Sequence, residues 1–364
     1  IVIYVNGIAL GVIELKRSTV SVSTGIRQNI TNQSKTFIEK FFSTIQLVFA
    51  GNDTEGLRHG VIGTPERFFL QWKEDGEIEN PLDRAVIQMC SKSRFLEIIH
   101  DFIVFDKGIK KTCRTNQYFG VKAAQLCMKN REGGVIWHTQ GSGKSLTMVW
   151  LAKWIREHIP HSRVLILTDR TELDDQIEKV FKGVNEEIYR AESGDDLFNQ
   201  LNTTSEWLLC SLIHKFGSSD KTDTEAFIQD IKNRLPDGFS AKGEMFVFID
   251  ECHRTQSGRM HRAMKEILSD NATIVGFTGT PLMKKDKASS LETFGPYIHT
   301  YKYDEAVADK VILDLRYEAR SVEQKLTSLP EAWLDPSDVS QILIELKSPS
   351  KQQLHSCLSP YARC

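Results

Sequence analysis

One stretch, Gly133 to Thr147 (GGVIWHTQGSGKSLT), constrains the fold more than any other. A short apolar run from Gly134 to Trp137 empties into a glycine-rich turn, and a helix-forming run starts at Lys144. Strand, loop and helix in that order is the context a phosphate-binding loop needs. Gly141 and Gly143 let the backbone turn sharply, so that N–H groups from Gln140 to Ser145 aim at a polyphosphate. Lys144 is a point charge placed to reach β- and γ-phosphates, the Ser145 hydroxyl can ligate Mg²⁺, and the following helix adds the positive end of its dipole. His138 stands where the pattern G-x-x-x-x-G-K-[ST] has its first glycine. An ordinary βα turn with an incidental Gly-Ser-Gly is the plainer alternative. The buried-type strand before it and the apolar-periodic helix after it favour the nucleotide site.

Downstream, strand and helix patterns alternate. Val164–Leu167, Trp207–Leu212, Met245–Ile249 and Ile274–Phe277 are short runs apolar on both faces and separated by helices, which indicates a parallel sheet covered on both sides. A ligand of such a sheet lies at the carboxyl ends of its strands. One of those ends carries Asp250-Glu251-Cys252-His253. Asp250 at a buried strand tip is placed to hold Mg²⁺, and Glu251 to polarise an attacking water. Two adjacent acids there are costly unless a metal or donors compensate them, so a purely structural role fits poorly. The last run ends in Gly279-Thr280-Pro281, with Thr278 and Thr280 offering hydroxyls to the acidic pair. Upstream, Arg114 and Gln117 sit just before the helix that leads into the loop strand. A glutamine amide can pair with N6 and N7 of adenine, although a helix-surface glutamine reads the same way, and Gln125 is a second candidate.

The first hundred residues have a different texture. Ile1–Val5 and Ile8–Leu15 flank Asn6-Gly7, the strongest short hairpin signal. On the returning strand Glu14 and Lys16 share one face by the period of 2, while Ile13 and Leu15 point to the core side. Taken alone, such a pair is a surface ion pair at a strand end. The chemical alternative is an E-x-K nuclease site, with Glu14 holding a divalent metal and Lys16 orienting water or stabilising developing phosphorane charge. That chemistry needs a second carboxylate on the preceding strand, at a position just before Ile1. Thr24 caps a helix that brings Gln28 toward the same place. Residues 81–105 have a helical period and read as one helix closing a first domain. Asp106–Arg114 is basic, contains glycine and lacks periodicity, which places a boundary there.

At 364 residues, two domains and some extra are expected, and 40% hydrophobic with 26% charged residues is ordinary for globular chains. A net charge of -2 excludes a uniformly basic protein but leaves room for a local basic groove. Seven cysteines without a C-x-x-C pair argue against a disulfide framework or zinc ribbon and fit a reduced, cytoplasmic setting. No uncharged apolar run reaches the ~18 residues of a membrane span, and the start of the chain has no signal-peptide pattern; it looks like a chain cut inside a domain.

The series Gln117, GSGKS, TDRTELDDQ, DECHR and GFTGTP resembles superfamily 2 helicases and translocases over residues 114 to 281. WHTQGSGKS with DECHR, preceded by VIELKR, looks like the motor (R) subunit of type I restriction enzymes. The cysteine of DECHR replaces an alanine common in that family. The resemblance implies a nuclease domain of PD-(D/E)-x-K type over 1–106, a mixed sheet with helices; a first RecA-like ATP-binding domain with a parallel sheet over 107–299; and the crossover into a truncated second RecA-like domain over 300–364. It maps Glu14, Lys16 and Gln28 onto the nuclease. Asn32 stands where the family's Q-x-x-x-Y extension has tyrosine. Lys144, Ser145, Asp250 and Glu251 fall on the ATP and Mg²⁺ site, Gln117 on the adenine reader, and Thr278 and Thr280 on coupling to domain movement. Asp169, Arg170 and Lys215 fall on positions that touch the DNA backbone. The implied function is an ATP-dependent DNA translocase and endonuclease acting on double-stranded DNA with methyltransferase and specificity subunits. Without the arginine motif of a second domain, the chain is expected to bind ATP but turn it over poorly. The alternatives are a stand-alone superfamily 2 helicase or remodeller whose first domain only binds, and a non-enzymatic nucleotide-gated scaffold.

Overall fold

Asn6 and Gly7 adopt φ of 50° and 79°, the left-handed backbone that an Asn-Gly turn supplies at low cost. They fold β1 (Val2–Val5) back onto β2 (Ile8–Leu15) as an antiparallel pair. The computed structural model describes residues 1–216, 224–253, 255–268, 272–281 and 290–314. From β2 the chain crosses through α1 (Val22–Asn32) to β3 (Leu47–Asn52), parallel to β2. β4 (Gly56–Gly60) and β5 (Leu70–Gln71) follow antiparallel, giving a mixed sheet in the order β1-β2-β3-β4-β5. The alternation along β2 and β3 separates two layers. Ile13 and Phe49 face an apolar cluster with Met89, Phe95 and Ile98, while Ala50 packs with Val22 and Ile26 of α1. Leu15, expected in the core, is 43% exposed. It ends its strand beyond the reach of either helical layer.

The helix expected over 81–105 is two, α2 (Pro81–Cys90) and α3 (Lys92–Asp101). Ser91 between them has φ −57° and ψ 135°, an extended break that ends the first helix at a residue type suited to start the second. The helix containing Gln28 starts earlier than expected, capped by the Ser21 hydroxyl rather than by Thr24. The basic stretch after Asp106 is not an unstructured link. β6 (Ile103–Asp106) and β7 (Ile109–Thr112) form a hairpin that turns on Lys107-Gly108.

α4 (Thr115–Lys129) then leads into a second sheet. Its strands are β8 (Gly134–His138), β9 (Ser162–Thr168), β10 (Tyr189–Arg190), β11 (Leu208–Leu212), β12 (Glu244–Asp250), β13 (Thr273–Thr278) and β14 (Tyr297–Tyr301). They pair in parallel in the order β10-β11-β9-β12-β13-β8-β14. Between them run α5 (Lys144–His158), α6 (Thr171–Gly183), α7 (Gly194–Leu201), α8 (Thr224–Asn233), α9 (Thr255–Leu268) and α10 (Ser290–Phe294), with α11 (Tyr303–Ala308) after β14. Every residue of β9, β11 and β13 is buried, as strands covered on both faces require. After β8 the chain passes over β13 and β12 to lay down β9, so the carboxyl ends of β8, β13 and β12 lie side by side under one group of loops.

Residues 1–313 cluster as one compact unit. An aromatic seam joins its two sheets: the Tyr118 ring lies 5.2 Å from Trp72 and 4.9 Å from Phe102, which sits 6.0 Å from Trp150. Arg94 lies against Trp72, Tyr118 and Phe119 and pairs with Glu74. The boundary expected at residue 106 falls inside the β6–β7 hairpin, and the one expected at 299 falls inside β14. The crossover segment beyond residue 314 and the expected second domain lie outside the described residues.

Candidate nucleotide and nuclease sites

β8 delivers the glycine-rich turn to the sheet edge, and the backbone does what its composition demands. Gly141 and Gly143 have φ of 81° and 94°. The Ser142 hydroxyl donates to the Thr139 carbonyl at 2.6 Å, closing the turn on itself. Gln117 is 2% exposed and lies in the first turn of α4, not before it. Its Nε2 donates to the Gly143 carbonyl at 3.0 Å, and its Oε1 accepts the Arg114 N–H at 2.9 Å. The glutamine expected to read adenine therefore also clamps the loop at its left-handed residue. A Cβ on Gly143 would collide with that same amide.

Across the crevice, the carboxyl end of β12 brings the acidic pair to the loop. Lys144 Nζ lies 3.7 Å from Glu251 Oε1. Asp250 is 6% exposed, and burial, followed by the neighbouring charge of Glu251, pushes its carboxyl up to about 6. Glu251 holds φ 49°, unusual for a residue with a Cβ and a form of strain that collects at functional sites. Thr278 at the tip of β13 does not bond the acids directly as expected. Its Oγ1 lies 2.9 Å from His253 Nδ1 and accepts the Thr280 N–H at 3.1 Å, while the same His253 nitrogen lies 3.2 Å from Glu251 Oε2. His253 is thus the bridge between the acid and the Thr278–Thr280 turn. Its place directly after the acidic pair was the available signal. The turn also approaches the loop: a Cβ on Gly279 would meet the Gln140 nitrogen at 2.9 Å and Lys144 Nζ at 3.5 Å.

His138, where a glycine was the pattern, is fully buried with Nε2 2.8 Å from His299 Nδ1 on β14. Burial first, then the charges of His299 and Lys144, lowers it to about 3, so it stays neutral. Nothing in the local sequence foretold that pairing, because its partner is far along the chain.

A divalent ion fits this site. A carboxylate buried at a strand tip with a raised pKa is a group whose charge a cation would stabilise, and Ser145 lies in the first turn of the helix that the loop feeds.

In the first sheet Lys16 Nζ donates to Glu14 Oε1 at 2.8 Å and to Gln28 Oε1, so the strand and α1 do bring the three expected residues together. Gly25 lets α1 pack closely on β3, since a Cβ there would meet the Ala50 Cβ at 3.2 Å, and it faces Lys16 and Glu14 at ordinary contact distance. The Ile1–Ile13 backbone bonds extend the β1–β2 register, so the position facing Glu14 precedes Ile1. Among these three residues Glu14 is the one carboxylate.

The expected backbone-contact residues lie along the sheet's carboxyl edge. Arg170 is exposed at the start of α6, and Lys215 Nζ donates to the Ala191 carbonyl at 2.7 Å. Asp169 follows directly on β9. Among the described residues no helix is long and apolar enough to cross a membrane.

Residues 116–348 match the SWI2/SNF2 ATPase family, and residues 1–67 match the N terminus of the type I restriction enzyme R protein. Among curated proteins, the chain is 28% identical to the type I restriction enzyme SsaAORF53P endonuclease subunit of Staphylococcus saprophyticus, over 86% of this chain and 34% of that protein. It is 27% identical to the HindI endonuclease subunit of Haemophilus influenzae, over 86% of this chain and 32% of that protein. The chain thus spans about a third of the length of the curated relatives it matches. Among solved structures, a SWI2/SNF2 ATPase core of Sulfolobus solfataricus in complex with dsDNA aligns over 58% of this chain and 40% of that one, at 16% identity and a TM-score of 0.39.

Proposed function

The chain belongs to the SWI2/SNF2 ATPase family, and from that premise we propose that it is the nuclease-and-motor portion of a type I restriction endonuclease subunit. It would hydrolyse ATP to move along double-stranded DNA and cut it, working in the cytoplasm with methyltransferase and specificity subunits. The observation that carries the motor reading is the approach of Lys144 to Glu251, beside a buried Asp250, across the loops of β8 and β12. Lys144 and the loop N–H groups from Gln140 to Ser145 would hold the phosphates, and Gln117 would lie at the base end of the nucleotide. Glu251, strained and in contact with His253, would accept a proton from the attacking water. The His253–Thr278 contact would pass the state of that site to the Thr280 turn. Mg²⁺, held by Ser145 and Asp250 when bound, would supply charge neutralisation at the phosphates. Asp169, Arg170 and Lys215 would touch the DNA backbone.

For the first sheet we propose the endonuclease role, with Glu14 as metal ligand and Lys16 held in place by Gln28. The divisions at 1–106, 107–299 and 300–364 are proposed as functional ones: nuclease, first motor domain and crossover to a second. The match of the first 67 residues to the R-protein N terminus supports this reading over a stand-alone helicase. The test is Mg²⁺-dependent cleavage of supercoiled DNA by the full-length subunit with its partners. Glu14→Ala and Lys16→Ala should each abolish cleavage while DNA-stimulated ATPase persists. Unchanged cleavage in both would remove the nuclease assignment.

A further inference from the structure

A cavity of about 470 Å³ lies between the β4–β5 edge of the first sheet and the start of α4 and end of α11. Its walls hold an unusual excess of positive charge: Arg58, Arg67, Lys73, Arg114 and Lys310, against one acid, Asp309. Lys73 and Tyr301 already share that acid. Among the described residues no carboxylate pairs with the guanidinium of Arg58, Arg67 or Arg114, or with Lys310. Arg58 and Arg114 are partly buried, and burial lowers the pKa of both. The charge of Glu55 offsets part of that for Arg58 without a direct ion pair, and the cost of a partly buried cation falls further when an anion arrives.

A second observation points the same way. Asn116 lines this cavity at 7% exposure, and its side-chain nitrogen has no hydrogen-bond partner. It is an amide donor waiting for an acceptor. Phe68, 53% exposed with the Arg67 guanidinium 4.7 Å from the centre of its ring, and Phe69 add aromatic surface to the same wall, the Phe68 face away from Arg67 being the one left for a base. Cations that track a backbone, interleaved with rings on which bases stack, are the combination that holds single-stranded nucleic acid.

We infer that this cavity binds a segment of one DNA strand, its phosphates on Arg58, Arg67 and Lys310 and a base against Phe68. The inference rests on the DNA-acting function proposed above and adds a contact on the motor-facing side of the nuclease sheet. The base of a bound ATP does not account for the site, since adenosine carries no charge and the triphosphate has Lys144 and the loop amides. A strand brings one anion per nucleotide, which matches several cations that make no direct ion pair with a carboxylate among the described residues.

The test uses the full-length subunit and a fluorescein-labelled dT20 oligonucleotide, read by anisotropy across a salt series, with mant-ATP titrated in parallel. Arg58→Gln with Arg67→Gln should weaken dT20 binding at least tenfold. It should also lower the log–log salt slope by ~1.4, at ~0.7 per lost single-strand phosphate contact. Mant-ATP affinity should not change. Lys310→Gln, at an exposed position, should give about half that slope change and guards against misfolding of the double variant. Unchanged dT20 affinity and slope in both variants would overturn the inference. So would a loss of mant-ATP binding with dT20 binding intact, which would make the cavity a nucleotide pocket. Lys144→Ala separates the two readings: it should abolish mant-ATP binding and leave the dT20 slope as in the wild type.

Discussion

Removing the Gln117 side chain tests whether the loop geometry depends on α4. In Gln117→Ala the partly buried Arg114 N–H, bonded at 2.9 Å, loses its partner, while the Gly143 carbonyl loses the amide at 3.0 Å and keeps the Thr147 N–H at 3.2 Å. An unsatisfied group of this kind costs ~1–3 kcal/mol, and water admitted to the gap recovers part of that, so a net loss of about 1–2 kcal/mol in stability is expected. Gly143 sits at φ 94° with its carbonyl held by this amide. Without the clamp, part of the loop ordering must be supplied on nucleotide binding, and ~1.4 kcal/mol of that cost is a tenfold loss of affinity. Denaturant unfolding gives the first quantity, and titration with mant-ATP and mant-GTP the second. Gln117→Glu is the sharper variant: it keeps the acceptor for Arg114 N–H and sets a carboxylate oxygen against the Gly143 carbonyl. A loop clamp weakens both nucleotides in parallel. If Gln117→Ala left stability within ~0.5 kcal/mol of wild type and changed only the ATP-to-GTP ratio, the glutamine would be a base reader and the clamp reasoning would be refuted.

Further outcomes follow from the same geometry. His59 is buried and its pKa is lowered to about 4 by burial, against about 6.5 for a free imidazole. The unfolded chain therefore binds the extra proton first, and stability present above pH 6.5 is lost as pH falls toward 4. Its share is on the order of 3 kcal/mol, so His59→Gln should flatten the pH dependence of Tm over that window. Trp72→Ala, opening the seam between the two sheets at a 4% exposed ring, should destabilise the protein by ~3–5 kcal/mol in denaturant unfolding. His253→Ala cuts the contact from Glu251 to Thr278. It should lower DNA-stimulated ATPase by tenfold or more while mant-ATP affinity stays within twofold.

The parallel sheet was legible because β9, β11, β12 and β13 are apolar on both faces and alternate with helix-forming runs, the pattern of strands covered on both sides. The hairpin at Asn6-Gly7 and the convergence of Glu14, Lys16 and Gln28 were legible for a local reason, since period-2 placement and one crossover helix decide them. The break at Ser91 was hidden because helical periodicity runs through it and a single extended residue leaves the apolar spacing intact. The β6–β7 hairpin was hidden by its lysines, which suit an exposed two-stranded ribbon as well as they suit a linker. His253 as bridge, the His138–His299 pair and the cationic cavity depend on strands that meet only through sheet order, which no local pattern encodes.

The central claim is that Lys144, Glu251 and Asp250 frame one nucleotide site. DNA-stimulated ATPase of the full-length subunit, measured for wild type and Lys144→Ala with unfolding curves in parallel, tests it most directly. Turnover should fall at least a hundredfold in the variant while its unfolding midpoint barely moves. An ATPase rate that survives the loss of Lys144 in a folded protein would contradict the claim.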